Sequence, residues 1–375
     1  MGGYPILSPK LDVTAIGAGG GSIAWKDAGG AFNVGPRSAG AEPGPACYGR
    51  GGTEPTVTDA HLVLGRVDPA NFLGGRMKLH PELAREAVST VGEQFGMDVE
   101  TAALAILRIV NANMVREIRV HSIRRGYDPR ECALVAFGGA GPLHACAIAE
   151  ELDIPAILFP PSPGTTSAMG LLATDLKYDS VRTVGMMLET ASRDVLEQRF
   201  AEMTRELHGR FEGHVGPAPV VQREAMCRYA GQGYELAASC DDLGDDWRER
   251  IEANFHQQHE HEYGFHFPND PVEIISLRTT AVSEIPARAA AALEEGGAAA
   301  GPPQPSGSAD VVFAAGGEPD RRSVPTYQRE VLPAGNRLDG PCMVLEMDST
   351  LVVGPEWNGE VLADGTLRVS REEQA

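Results

Sequence analysis

The amino-acid sequence predicts a mixed α/β protein that ends in a β-rich region. A strand at Ala133–Phe137, a glycine turn, a helix at Leu143–Leu152 and a strand at Ile154–Phe159 follow in the order of a βαβ unit. Apolar residues of Val99–Arg125 recur at steps of three and four, which predicts a long amphipathic helix. Turn signals separate short apolar runs throughout Asp310–Arg371, which predicts a small β-rich domain.

Composition and charge limit the classes of function. The 375 residues include 32 basic and 52 acidic side chains, for a formal net charge of -20. This balance argues against nucleic-acid binding, whose affinity comes largely from Lys and Arg on phosphates. No apolar run is long enough to span a bilayer, so we expect no membrane partner and a cytoplasmic location. The six cysteines form no C-x-x-C pair, which indicates neither a zinc site nor a disulfide framework.

The stretch Ala15–Trp25 contains the first candidate ligand site. Apolar arms flank Gly19, Gly20 and Gly21, a pattern that predicts a tight β-hairpin. Successive N–H groups in such a turn form a small concavity for an anion, and Ser22 adds a hydroxyl. A phosphate-binding turn and a turn that is merely tight are both compatible with this stretch.

The loop at Arg37–Gly52 and the helix that follows it contain further candidates. A loop so long and so rich in Gly and Pro is usually functional or disordered, and its polar residues favour function. Within it, Cys47 has no His or Asp partner pattern, which favours a structural thiol over a nucleophile. Asp59 precedes a helical run, either as its N-cap or as a carboxylate aimed at the site.

The βαβ unit contains the second candidate ligand site. The apolar run Ala133–Phe137 is typical of a buried strand. Gly138–Gly141 and Pro142 follow it and predict a helix N-terminus that a ligand can approach closely. The spacing is not G-x-G-x-x-G, and no lysine follows a P-loop pattern. His144 either reaches the ligand or is a partly buried structural residue, and Asn111 is either a buried amide or a cleft residue.

The rest of the chain offers less chemistry. Helices are predicted at Pro81–Phe95, Ser192–Phe211 and Trp247–Tyr263. His256 and His259 have the spacing of a metal pair, but no third ligand is specified, and histidines on a wet helix face are more common. No metal ligand is therefore assigned.

Several motifs carry a resemblance to a known family. The chain resembles the hydantoinase/oxoprolinase family, specifically the C-terminal half of the A-type subunit of ATP-dependent cyclic amidohydrolases. The motifs that carry it are Ile16–Trp25, Gly35–Gly40, Pro43–Thr53, Pro55–Ala60, Asn111–Met114 and Val135–His144.

The resemblance implies a fold, cofactors and site residues. It implies an α/β, actin- and sugar-kinase-like (RNase-H-like) ATPase lobe at residues 1–285, an Ala/Gly/Pro-rich linker at 286–309 and a β-rich domain at 310–375. ATP and a divalent metal such as Mg²⁺ are the expected cofactors. By this analogy Gly19, Gly20, Gly21 and Ser22 hold phosphates, Gly138, Gly139 and Gly141 border the nucleoside, and Asp59 and His144 position metal or water.

The implied activity is ATP-dependent ring opening of a cyclic amide such as a hydantoin or 5-oxoproline. Two alternatives stay open: a subunit of an ATP-dependent ketone carboxylase, and a non-catalytic assembly subunit. Family members of full length begin with another lobe, whereas here the second-lobe glycine turn follows closely on Met1. We therefore expect the missing N-terminal lobe and a B-type hydantoinase subunit as partners in a hetero-oligomer, with the cyclic amide as substrate.

Overall fold

The computed structural model of the chain describes residues 13–123, 125–214, 216–241, 243–284 and 303–371. These residues belong to two compact units. The first unit comprises Met1–Met169 and Ala289–Ala375, and the second comprises Gly170–Arg288. Mixed helices and sheets confirm the α/β class.

The N-terminal part of the chain combines short strands with long helices. Pro81 in the first turn and a left-handed Gly96 after the last turn fix the bounds of the second helix, which are those that the sequence predicts. The elements are β1 (Ser22–Lys26), β2 (Phe32–Ser38), α1 (Val57–Val63), α2 (Pro81–Phe95), α3 (Val99–Ile123), β3 (Ala133–Val135), α4 (Gly141–Leu152), β4 (Ala156–Phe159) and α5 (Thr166–Ala173).

The predicted hairpin around the first glycines is wrong in its pairing. β1 pairs antiparallel with β2, and the turn between them is at Asp27–Gly30. Residues 13–16, the described part of the predicted first arm, form no strand. The three glycines therefore precede β1 and do not join two strands of the described chain.

The βαβ prediction is confirmed, but its first strand is not buried on both faces. β3 and β4 are parallel and α4 connects them. β3 lies at the edge of its sheet, where Val135 is 51% exposed while Ile157 of β4 is fully buried. The described residues therefore cover the continuous apolar run at 133–137 only in part.

The second unit is an antiparallel sheet with two helices. Its elements are β5 (Leu176–Met187), α6 (Arg193–Arg210), β6 (Val220–Tyr229), β7 (Leu236–Ser239), α7 (Trp247–Tyr263) and β8 (Val272–Ser283). The strand order is β5-β8-β6-β7. Phe200 of α6 and Phe255 of α7 are buried in one core with Leu277 of β8. Both predicted helices of this unit are confirmed to within one residue.

The C-terminal part adds strands to the first unit. They are β9 (Gly307–Ala315), β10 (Glu318–Gln328), β11 (Arg337–Asp339), β12 (Cys342–Leu345), β13 (Thr350–Val353), β14 (Trp357–Val361) and β15 (Leu367–Arg371). β9, β10, β12 and β13 form one sheet, and the order β11-β14-β15-β4-β3 forms another.

The predicted domain boundary at residue 310 does not separate compact units. β15 pairs with β4 over four residues, and the buried Trp357 and Leu367 share a core with Phe159. A sheet made from both parts of the sequence buries their apolar faces together. Residues 286–302 of the predicted linker lie outside the described chain. The rest of the predicted linker is residues 303–309, and β9 begins within it at Gly307.

Candidate functional site

The first glycine turn keeps its carbonyls occupied and its N–H groups open. Thr58 donates its N–H and its hydroxyl to the carbonyl of Gly20, each at 2.9 Å. The Ala39 N–H donates to the carbonyl of Gly21 at 2.9 Å. In the described chain no protein acceptor takes the N–H of Gly20 or Gly21. Such a turn presents partial positive charge to an anion.

The other two members of the predicted phosphate site serve the turn itself. The Gly19 N–H donates to Oγ of Ser22 at 3.0 Å, and the Ser22 hydroxyl donates to the carbonyl of Gly17 at 3.2 Å. Ser22 is 4% exposed. Gly20 and Gly21 line the cavity described below, whereas Gly19 and Ser22 are not among its lining residues.

The loop at Arg37–Gly52 contributes to the same site. Gly40, Pro45 and Tyr48 line the cavity, so the loop lies at the candidate site. Cys47 is fully buried, and burial together with the nearby Asp59 carboxylate raises the pKa of its thiol. A thiol in that environment is a poor nucleophile.

The second glycine turn is open rather than crowded. Gly138 has a φ of +84°, and its N–H donates to the carbonyl of Pro163 at 2.7 Å. A Cβ at Gly138 or Gly141 would meet no atom within 4 Å. Helix α4 begins at Gly141, so this turn lies at a helix N-terminus as predicted. Gly139 and Ala140 line the cavity.

Both glycine turns border one cavity of about 290 Å³ within the first unit. Its remaining wall comes from residues that sequence reasoning did not select. They are Thr58, His61, Val67, Asp68, Asn71, Phe72, Leu73, Leu143 and the connection 345–350 between β12 and β13. That connection lies about two hundred residues after the second turn in sequence and more than three hundred after the first, so local sequence pattern carried no signal for it.

Asp59 has a structural position. Both carboxylate oxygens accept backbone bonds, from Ala46 at 3.2 Å, from Cys47 at 2.8 Å and from Thr56 at 2.9 Å. Its N–H and carboxylate form a capping box with Thr56, which is the N-cap of α1. Asp59 is fully buried and is not among the residues that line the cavity. Its role is to stabilise the loop at Ala46–Cys47 through the hydrogen bonds that it accepts.

His144 lies one side chain behind the cavity. Its Nε2 is 3.2 Å from Nε2 of His61, and its Nδ1 is 2.7 Å from Oδ1 of Asn111. His61 lines the cavity and is 1% exposed. Burial lowers the pKa of His144 to about 3, and burial with the neighbouring His144 lowers that of His61 well below 6.5. Asn111 is thus an amide paired with a histidine, and both imidazoles are neutral.

Acidic side chains also line the cavity. Glu346 and Asp348 line the cavity, and burial raises the pKa of Glu346 to about 7. Oε1 of Glu346 lies 3.9 Å from Nε of Arg329 and has no hydrogen-bond partner among the described residues. In the described chain no three His, Cys, Asp or Glu side chains group closely enough to hold a metal ion.

Residues 1–180 match a family model described as Hydantoinase/oxoprolinase. Over this range the chain belongs to the hydantoinase/oxoprolinase family. Both glycine turns, the loop at Arg37–Gly52 and helix α4 lie within the matched residues.

Individual relatives match nearly the whole sequence. Caprolactamase subunit alpha of Pseudomonas jessenii is 36% identical over 372 residues, covering 94% of this chain and 52% of that protein. 5-Oxoprolinase 1 of Arabidopsis thaliana is 30% identical over 392 residues, covering 99% and 30%. The gamma subunit of acetophenone carboxylase of Aromatoleum aromaticum is 40% identical over 199 residues, covering 52% and 27%.

A solved structure has the same fold. The crystal structure of ATP-dependent caprolactamase from Pseudomonas jessenii matches with a TM-score of 0.73 and 33% identity, over 95% of this chain and 52% of that chain. The chain therefore spans about half the length of the caprolactamase subunit. No described helix is both long and apolar enough to cross a membrane.

Proposed function

We propose that the first unit is a nucleotide-binding part of an actin- and sugar-kinase-like ATPase that opens a cyclic amide ring. The observation that carries this proposal is the meeting of two glycine turns at one cavity, with the N–H groups of Gly20 and Gly21 unpartnered in the described chain. These N–H groups bind phosphate oxygens, and the turn at Gly138–Gly141 borders the nucleoside. The predicted lobe of residues 1–285 becomes, in this proposal, the first unit together with its C-terminal strands.

The relatives support the reaction class. Caprolactam and 5-oxoproline are cyclic amides, and the caprolactamase of Pseudomonas jessenii is ATP-dependent. An amide resists water because resonance stabilises it, and phosphorylation of its oxygen makes the ring carbon electrophilic. A protein accelerates such a transfer mainly by positioning phosphates and stabilising their charge. Backbone N–H groups fixed by Thr58 and Ala39 suit that task.

A divalent metal fits the acidic wall of the cavity. Mg²⁺ is usually held by one or two carboxylates, the substrate phosphates and water. Glu346 and Asp348 are the candidates in this chain, since Oε1 of Glu346 lies near Arg329 but has no hydrogen-bond partner in the described residues. The ion would offset phosphate charge there, and Asp59 is too fully engaged to serve as a ligand.

Partners complete the proposed enzyme. The cavity of about 290 Å³ is small for a whole nucleotide, because pockets for small molecules span roughly 300–1,000 Å³. Val135 at the end of β3 and Phe137 just beyond it are 51% and 47% exposed, which suits contact with further protein. We therefore retain a further ATPase lobe and a B-type subunit as partners. Six free cysteines support a cytoplasmic location.

A ketone carboxylase is the second candidate. The acetophenone carboxylase gamma subunit is 40% identical over 199 residues, a higher local identity than that of the amide enzymes. Such an enzyme would use the same phosphate turn to activate an enol. An assembly subunit without turnover is the third reading, and it predicts no nucleotide binding.

Nucleotide binding and turnover separate these candidates. We expect the 375-residue chain to bind ADP and tripolyphosphate in calorimetry but to hydrolyse ATP only with the partner polypeptides. Caprolactam, hydantoin or 5-oxoproline should stimulate phosphate release in an amidohydrolase, whereas a ketone with bicarbonate should do so in a carboxylase. Binding of neither ADP nor tripolyphosphate would contradict the proposal.

A matched pair of variants assigns the phosphate turn. A Cβ at Gly20 would lie 2.7 Å from Oγ1 of Thr58, so Gly20→Val must displace the turn or the hydroxyl that holds its carbonyl. We expect it to weaken tripolyphosphate binding at least about tenfold, a cost of about 1.4 kcal/mol. Gly19→Ala is the control, because a Cβ there meets no atom within 4 Å. Equal tripolyphosphate affinities of the two variants would indicate that the phosphate does not bind at this turn.

A further inference from the structure

His61 is a buried side chain with one nitrogen left for a ligand. It lines the cavity, is 1% exposed, and its Nδ1 has no hydrogen-bond partner among the described residues. It lies on α1 one turn beyond Thr58, the residue that holds the carbonyl of Gly20. A buried nitrogen without a partner costs stability, so a group that satisfies it in the bound state gains affinity.

The hydrogen-bond chain behind His61 determines what that nitrogen offers. Oδ1 of Asn111 can only accept, so Nδ1 of His144 at 2.7 Å donates its N–H. Nε2 of neutral His144 is then a lone pair, which accepts the N–H on Nε2 of His61 at 3.2 Å. Nδ1 of His61 is consequently the unprotonated nitrogen of its ring. It accepts hydrogen bonds and cannot donate one.

Electrostatics keep both rings neutral. Burial and the positive charge of nearby Arg66 lower the pKa of each imidazole, so neither carries a proton on both nitrogens at neutral pH. A neutral acceptor repels phosphate oxygens, which are themselves acceptors. It attracts a hydroxyl or an N–H.

We propose that His61 binds a neutral hydrogen-bond donor of the ligand through Nδ1, and that His144 and Asn111 are positioning residues that set its tautomer. This proposal rests on the proposed function: the donor is a hydroxyl or amino group of the nucleoside, while the phosphates bind at Gly20 and Gly21. The N–H of a cyclic amide has the same chemistry, so the test includes both sources.

The pair also connects the two glycine turns. α1 carries Thr58 beside the first turn, and α4 begins at the second turn. The bond between His61 and His144 joins these helices where both face the cavity. The affinity of a ligand that bonds to His61 should therefore depend on the distance between the two turns.

Nitrogen-15 spectra of the histidine side chains test the tautomers directly. In the 375-residue chain we expect His61 to carry its proton on Nε2 and His144 on Nδ1, with signals assigned from His61→Leu and His144→Gln. Adding adenosine or ADP should shift Nδ1 of His61 toward the hydrogen-bonded range. Tripolyphosphate should instead shift the amides of Gly20 and Gly21. The opposite tautomers, or a shift of Nδ1 with tripolyphosphate alone, would overturn the proposal, and a shift with caprolactam but not adenosine would reject the nucleoside.

Affinities of three variants complete the test. We expect His61→Leu to weaken ADP binding about tenfold, the effect of one lost hydrogen bond to a buried group, and to leave tripolyphosphate binding unchanged. Asn111→Leu should weaken ADP binding and mix the tautomers of His144, whereas Asn111→Gln keeps a neutral amide acceptor and should restore both.

The outcomes distinguish this proposal from the proposed function. If native chain binds ADP and His61→Leu binds it equally well, only the role of His61 fails. If His61→Leu weakens ADP and tripolyphosphate equally, the residue supports the fold and does not select the donor. If native chain binds neither probe, the nucleotide site and the role of His61 fail together.

Discussion

The two glycine turns that border the cavity need glycine for different reasons. At the first turn neighbouring atoms exclude a side chain, since a Cβ at Gly20 or Gly21 would lie within 3 Å of a hydroxyl. At the second turn space is open, but Gly138 has a left-handed φ of +84°. One turn is fixed by its surroundings and the other by its own backbone. Substitutions should therefore act through packing at the first turn and through local strain at the second.

The largest expected effect concerns the support of the first turn. Asp59 connects the loop at Ala46–Cys47 to Thr56 by hydrogen bonds. Thr58, which lies between Thr56 and Asp59 in sequence, donates a hydrogen bond to the carbonyl of Gly20. Asp59→Asn places an amide N–H₂ where a buried carboxylate oxygen accepted bonds. We expect the free energy of unfolding to fall by about 3 kcal/mol, measured by urea denaturation.

The control for this variant is a nearby surface carboxylate. Glu54 pairs with Arg37 at 2.7 Å, and both side chains are more than half exposed. Glu54→Gln should change stability by less than about 0.5 kcal/mol. If Asp59→Asn were equally mild yet abolished ATP hydrolysis with the partners present, Asp59 would be catalytic and its structural interpretation wrong.

Acid should weaken the connection between the two turns. The folded chain holds the pKa of His144 at about 3, below the usual 6.5. As pH falls through 6.5 the unfolded chain takes up the proton first, so stability present above pH 6.5 is lost progressively down to about pH 3. At pH 5 this single imidazole should lower the free energy of unfolding by about 2 kcal/mol relative to pH 7.

A variant isolates that contribution from the titration of carboxylates. His144→Gln should show a loss of stability between pH 7 and pH 5 that is smaller than that of native chain by about 2 kcal/mol. The same loss in both proteins would mean that His144 titrates normally and is not part of a neutral pair.

The sequence predicted elements whose signals are local. Pro81 and Gly96 mark the ends of α2, and the Asp364–Gly365 turn that joins β14 to β15 lies in the region where turn signals predict short strands. The sequence did not predict that β3 is an edge strand. A continuous apolar run has the same pattern whether one face of the strand or both faces are covered. The pairing of β15 with β4 was not predicted for another reason, since it joins residues about two hundred positions apart in sequence.

The site divides in the same way. The glycines of both turns were predicted as site residues because a backbone conformation or close contact that requires glycine is visible in the sequence as a run of glycines. His61 was missed, since a single histidine in an apolar helical run is read as a core residue. Its partner His144 was found, but only the fold reveals that His61 lies between it and the cavity. Glu346 and Asp348 carry no motif, and β12 and β13 bring them to the site.

Backbone strain at the second turn has a smaller expected effect. Gly138→Ala meets no steric obstacle but forces an L-residue into the left-handed region, which should cost about 1.5 kcal/mol of stability. Gly141→Ala is matched to it, because its Cβ is equally free and its φ is not left-handed. Both are measured by urea denaturation. Equal stability of the two variants would show that the second turn relaxes to another conformation without cost.

The smallest expected effect concerns the fixed carbonyl of the first turn. Thr58→Val removes the hydroxyl bond to the carbonyl of Gly20 but keeps the N–H bond to the same oxygen, so stability should fall by only about 1 kcal/mol. Tripolyphosphate affinity should fall by about threefold, because the turn keeps one of its two constraints, and Thr58→Ser should restore it. If Thr58→Val instead tightened phosphate binding, the hydroxyl would be an obstacle at the anion site, and the first turn would be fixed by its backbone as the second one is.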